Sequence, residues 1–171
     1  MRRKGIWFGL LTGVIALTAL FASKARATTA VGFTSTTMAM SRFGGVELFN
    51  QQVPLTGSTN IWLSWQKTIG ASDVYMLNNT WPVGSDTGWH SHPGSTWIIV
   101  TAGTITEYVG GDPNCTPTVY TQGMGFTDPG GDHVHIVRNE GPVPATAVAF
   151  RVIAAGASAR IDQPSPGNCP F

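Results

Sequence analysis

The eight residues TGWHSHPG, Thr87–Gly94, set His90 and His92 one residue apart between Gly88 and Gly94. The chain has four histidines in 171 residues, and the other two, His133 and His135, recur one residue apart in GGDHVHIVRNEG (130–141). In an extended strand, residues i and i+2 point to the same face, so each H-x-H pair presents two imidazoles in one direction. A closed sheet brings strands that are distant in sequence opposite each other. Two such pairs on facing strands build a three- or four-histidine site.

The surrounding pattern is β. Short runs rich in branched and aromatic residues (GVELF, IWLSWQ, VYMLN, TGWHSH, TWIIVT, TITEYV, TVYT, HVHIVR and TAVAFRVIA) alternate with turn segments such as PLTGSTN, PVGSDTG, GGDPNCTP, DPGGD and NEGPVP. Gly and Pro recur too often for long helices, and closely spaced strands between turn signals imply an all-β sandwich or barrel. The tail ASARIDQPSPGNCPF (157–171) is expected to lie extended over the surface, held by its cysteine.

The first stretch reads differently. Arg2, Arg3 and Lys4 precede an apolar run from Ile6 to Ala22, and Ala25-Arg26-Ala27 follows as a small-x-small cleavage pattern. Residues 1–27 are expected to be a secretory signal peptide and 28–171 a single domain, secreted or periplasmic, with no stable membrane insertion after cleavage. The competing reading is an uncleaved anchor, since the run is close to the shortest length that spans a bilayer. Past the leader, five basic residues face nine acidic ones, a net charge of about −4. Five scattered cations cannot build the basic face that a duplex requires, so nucleic acid is excluded as a partner. Charged residues make up only 11% of the chain, against about 25% in an average soluble domain. Thr, Ser, Asn and Gly therefore carry the solubility, which suits a secreted β protein. In an oxidising compartment the two cysteines, Cys115 and Cys169, are expected to form a disulfide that ties the tail to a mid-chain loop. N-x-T sequences at Asn78 and Asn114 are acceptors only in a eukaryotic secretory pathway.

The residues flanking both histidine pairs resemble the two sequence motifs of the cupin superfamily, small jelly-roll barrels of the double-stranded β-helix type. Gly88, His90, His92 and Gly103 match the first motif; Gly123, Pro129, Gly131, His135 and Asn139 match the second, with one extra residue between Gly131 and His135. The resemblance implies a single cupin barrel with His90, His92 and His135 as metal ligands. One departure stands out: the motif's glutamate ligand is replaced by Thr96. The remaining all-histidine set is similar to sites of some thiol dioxygenases in that superfamily. Imidazoles suit iron and zinc first and copper next.

Three positions stay open on the sequence alone. Glu107 in TITEY restores a carboxylate if it turns inward. His133, with the strand parity of His135, is a fourth ligand or a catalytic acid/base on one reading and a surface histidine on the other. Trp62, Trp65, Trp81, Trp89 and Trp97 are expected as barrel packing, with Trp89 and Trp97 also candidates to line a ligand pocket. The function implied by the resemblance is a secreted metalloenzyme oxidising a small organic substrate. The alternative is a non-catalytic cupin that captures a metal or small ligand, and in either case a homodimer through sheet edges is an expectation.

Overall fold

The computed structural model describes residues 26–52 and 62–171; the leader-like segment up to residue 25 and the turn PLTGSTN lie outside the described residues. Twelve strands are found among the described residues: β1 (Thr34–Phe43), β2 (Glu47–Gln52), β3 (Trp62–Lys67), β4 (Ser72–Trp81), β5 (His90–Ser91), β6 (Thr96–Ala102), β7 (Thr104–Val109), β8 (Thr118–Thr121), β9 (Gly125–Asp128), β10 (His135–Arg138), β11 (Ala145–Ala154) and β12 (Ile161–Asp162). They form two five-stranded antiparallel sheets, ordered β1-β4-β11-β6-β9 and β12-β5-β10-β7-β8, and β2 pairs with β3 in a separate hairpin. The all-β double-stranded β-helix expected from the sequence is the fold observed.

Alternation along the strands sorts side chains into an inner row and an outer row. On β6, Thr96, Ile98 and Val100 are buried while Trp97 and Ile99 are exposed. On β11 the inner row is Ala145, Ala147, Ala149 and Arg151, and register pairs Arg151 with Thr96, Ala149 with Ile98 and Ala147 with Val100. The facing sheet continues the rows with Ile105 and Glu107 on β7 and His135 and Val137 on β10. One end of every row is apolar and the other is polar. The apolar end, with Leu77, Trp81, Ile98, Val100, Ile105 and Val137, is the core. Each of the branched aliphatics among them contributes roughly 1.5–3 kcal/mol by leaving water, which offsets the cost of burying the polar end.

Several expectations need correction. Strands β1, β9 and β12 fall outside the runs read as strands: β1 is Thr-rich and exposed along its length, and β9 and β12 are four and two residues long, with no room for alternation. TGWHSH forms a strand only at His90–Ser91, because Gly88 takes a left-handed backbone (φ +63°) where a Cβ would sit 2.7 Å from the Thr29 carbonyl. The tail does not merely cover the surface: β12 pairs with β5, and Ala159 and Arg160 line the interior cavity. Of the five tryptophans expected as barrel packing, Trp81 and Trp89 are buried, whereas Trp62, Trp65 and Trp97 are exposed. Trp97 faces outward against Phe150, and Trp89 packs under the tail with Tyr108, Ile136 and Cys169, so neither lines the cavity. Both sit at the opposite parity to the inward residues beside them.

Cys115 and Cys169 form a disulfide, with Cα atoms 5.2 Å apart across 54 positions. Closing a loop of this length in the unfolded chain is worth about 4 kcal/mol on the chain-entropy model. A Cys115→Ala/Cys169→Ala variant is expected to lose about that much unfolding free energy in urea, and reductant should reproduce the loss in the parent chain; identical midpoints with and without reductant would contradict it.

Across the β1–β4 pair, Arg42 grips Asp73 through Nε and Nη2 at 2.7 and 2.8 Å, and the Gly156 amide donates to the same carboxylate at 2.8 Å. These bonds, Arg42's first, hold the Asp73 carboxyl down to about 2. Since the folded value lies below the unfolded one, near 3.9, the stabilisation is fully present above about pH 4 and is lost as pH falls through about 2. Thermal midpoints followed from about pH 5 to about pH 2 should therefore fall more steeply in the parent than in Asp73→Asn; parallel curves would refute the assignment.

Candidate metal centre

Register brings the first three histidines together. His135 on β10 pairs with His90 on β5, and the two rings stand 4.5 Å apart between centroids. His92, two residues past His90, joins them from the same face, and one ring nitrogen from each of the three lies within 4.8 Å of the others. All three side chains are buried. Two close approaches hold the motif loops in place: the Gly131 amide donates to the His92 carbonyl (2.8 Å), and a Cβ on Gly130 would sit 2.6 Å from the Gly94 backbone.

The hydrogen bonds give all three rings the same tautomer. His90 Nδ1–H donates to the Gly88 carbonyl (2.9 Å) and His92 Nδ1–H to the Ala159 carbonyl (2.7 Å). His135 Nδ1–H donates to Glu107 Oε1 (2.7 Å). Carbonyls and carboxylates accept only, so each Nδ1 carries a proton and each Nε2 is turned toward the other two rings. Burial, helped by neighbouring cations, pushes His90 far below its usual range and His92 down to about 3. Both are neutral imidazoles at physiological pH, the form that binds metal.

Glu107 turns inward, beside Ile105, and its other oxygen accepts from Tyr120 (3.2 Å), whose hydroxyl is pushed up to about 12 by burial and by Glu107. Its position behind His135 is that of the carboxylate that orients a metal-bound histidine. His133 lies on the far side of Glu107, with Nε2 3.9 Å from Oε1 and a side chain 24% exposed, and is not part of the cavity wall. Within the Glu107–His133–His135 group the one hydrogen bond is His135 Nδ1 to Glu107 Oε1, and His133 stands off the carboxylate at 3.9 Å.

The histidines open into a cavity of about 230 Å3, smaller than the roughly 300–1,000 Å3 of a drug-sized pocket. Phe33, Leu77, Ile98, Phe126 and Val137 form its apolar wall, and Asp128, Arg151 and Arg160 join the histidines at the polar end. These last three escaped the sequence reading. Arg151 was legible in principle, as an arginine at the inward parity of ATAVAFRVIA. Asp128 sits in a segment that reads as a turn, and no local pattern marks it. Arg151 Nε donates to Thr96 Oγ1 (2.9 Å), Nη1 to the Ala159 carbonyl (2.8 Å) and Nη2 to His92 Nε2 (3.1 Å).

The residues present fit a bound ion. His135 Nε2 is buried with no hydrogen-bond partner, an unfavourable state that a metal relieves. A model of the cupin domain family matches residues 79–151, a span containing both histidine pairs, Thr96 and Arg151. The chain carries a cupin domain. No curated protein matches the chain. Among solved structures, the cupin resembles an uncharacterized conserved protein with a double-stranded β-helix domain from Klebsiella pneumoniae, at 19% identity over 53% of this chain and 76% of that one (TM-score 0.44). It also resembles a DMSP lyase from Ruegeria pomeroyi, at 20% identity over 53% of this chain and 43% of the lyase (TM-score 0.45). An oxalate oxidase aligns at 22% identity over 48% of this chain and 46% of the oxidase (TM-score 0.40). The aligned part thus spans less than half of each of the two enzymes.

Glu107 supplies a test of the cupin's donor arrangement. Replacing it with Ala removes the acceptor that fixes the His135 tautomer, and divalent-metal affinity measured by chelator competition should fall about 10- to 100-fold. Unchanged affinity would show that His135 needs no such partner.

Proposed function

We propose that this cupin is a secreted metalloenzyme that oxidises a small, carboxylate-bearing organic molecule, with His90, His92 and His135 holding the metal. The observation that carries the reading is the shared orientation: three Nδ1 protons are engaged outward, and three Nε2 atoms are left facing a buried cavity. Imidazole donors suit iron, zinc and copper. Iron, with copper next, is assigned here, because a redox-active ion supplies the path by which electrons leave the substrate for dioxygen, the oxidant. Zinc at the same three donors would instead direct the chemistry to an activated water.

The chain's own residues account for substrate choice. Arg151 is buried, and among the described residues no carboxylate lies within ion-pairing distance of it. Burial lowers it only to about 10, so it stays cationic at neutral pH. With His92 Nε2 holding a metal, Arg151 Nη2 would be without that acceptor and available to bind an anionic group of the substrate. Export is supported by the leader-like start of the chain and by the disulfide. Leu48, Phe49, Trp62, Leu63 and Trp65, exposed on the β2–β3 hairpin, are the surface we assign to a second copy of the chain.

Oxygen consumption by the iron-loaded protein, screened against small carboxylates and the matching alcohols, tests the proposal. Uptake should require the carboxylate, vanish in the His90→Ala/His92→Ala/His135→Ala variant, and show a KM raised about 10- to 150-fold in Arg151→Ala, the worth of a lost charge-assisted bond. Stoichiometric metal with no oxygen uptake on any substrate would favour the second reading, a binding protein without catalysis, which the absence of a glutamate at Thr96 favours.

A further inference from the structure

Thr96 stands where the family motif carries a carboxylate, and its hydroxyl is already the acceptor for Arg151 Nε. Directly across the β6–β9 pair, its register partner is Asp128. Asp128 is fully buried, at 0% exposure. Its Oδ1 accepts from the Gly130 amide (2.8 Å), which fixes the side chain's orientation. Oδ2 has no hydrogen-bond partner and points into the histidine cluster, 3.7 Å from His92 Nε2 and 3.8 Å from His135 Nε2.

A buried carboxylate oxygen without a donor is strongly disfavoured. Here it stands beside a second orphan, His135 Nε2. Neither atom has a hydrogen-bond partner, and a metal ion between them would give both a partner. Ligand bonds of about 2.0–2.2 Å let one ion bridge donors that are up to about 4 Å apart, so both separations are within reach.

Resting on the metal reading above, we infer that Asp128 is the fourth protein ligand, the missing carboxylate having moved from one strand to its hydrogen-bonded neighbour. The site is then three imidazoles and one aspartate. It carries one charge less than the all-histidine set and accepts harder ions more readily. Arg151 keeps Thr96 Oγ1 and the Ala159 carbonyl as acceptors and would give up only its bond to His92 Nε2.

Asp128→Asn is the informative variant, because its amide oxygen can still accept from Gly130 while the anionic donor is gone. Cobalt(II) is the probe, read by chelator competition and by its visible absorption. Affinity is expected to fall more than about 100-fold, beyond the effect of losing an outer carboxylate, with shifted cobalt bands and no loss of thermal midpoint in the metal-free protein. Parent affinity and an unchanged spectrum in Asp128→Asn would overturn the inference while leaving the three-histidine site standing. A parent chain that takes up no cobalt, iron or zinc would overturn both. If the variant fails to fold, a crystal structure of the zinc-loaded parent decides: Oδ2 at bonding distance from the ion supports the inference, and Oδ2 beyond about 3 Å refutes it.

Discussion

Everything at the polar end depends on the register of β10. His135 pairs with His90 on one side and with Val109 on the other, and Val137 pairs with Glu107. A one-residue slip would exchange inner and outer rows, putting Ile136 among the imidazoles and His135 under the tail. The apolar floor prevents that slip. Val137 belongs to the same buried cluster as Ile98, Val100 and Ile105, so the packing that stabilises the barrel also fixes where the three clustered histidines stand.

Much of this was legible in the sequence because strand parity is legible. TWIIVTA and TITEYV alternate plainly, and two H-x-H pairs in a chain with no other histidine mark the donors. What failed to show was whatever depends on the pairing of strands. Glu107 reads ambiguously between Ile105 and Val109 until β7 is laid against β10, and only then does it meet His135 Nδ1. His133 shares the parity of His135, yet lies beyond Glu107 and outside the cavity wall, because it belongs to the loop 129–134 that bends before β10 begins. Tryptophans at outward parity read as core because size suggests burial, although position decides it.

The polar end also shows how a departure from a family pattern propagates. With a threonine at 96, β6 offers a neutral hydroxyl, and an arginine at the paired position on β11 becomes tolerable. A glutamate at 96 would ion-pair with Arg151 and compete with any anionic ligand for it. The exchange at one position therefore alters both the charge of the site and the availability of its cation.

The tail completes the arrangement through a single carbonyl. Ala159 O accepts from His92 Nδ1 and from Arg151 Nη1, so it fixes the orientation of the His92 ring and the pose of the buried cation together. That carbonyl is held by short pairing of β12 with β5, by the Gln163 amide donating to the Trp89 carbonyl, and farther along by Cys169, packed on Trp89 and bonded to Cys115. Two residues of strand pairing give little local stability alone. The disulfide supplies the missing restraint, and a segment that reads as a surface strap thereby sets the geometry of the site it covers.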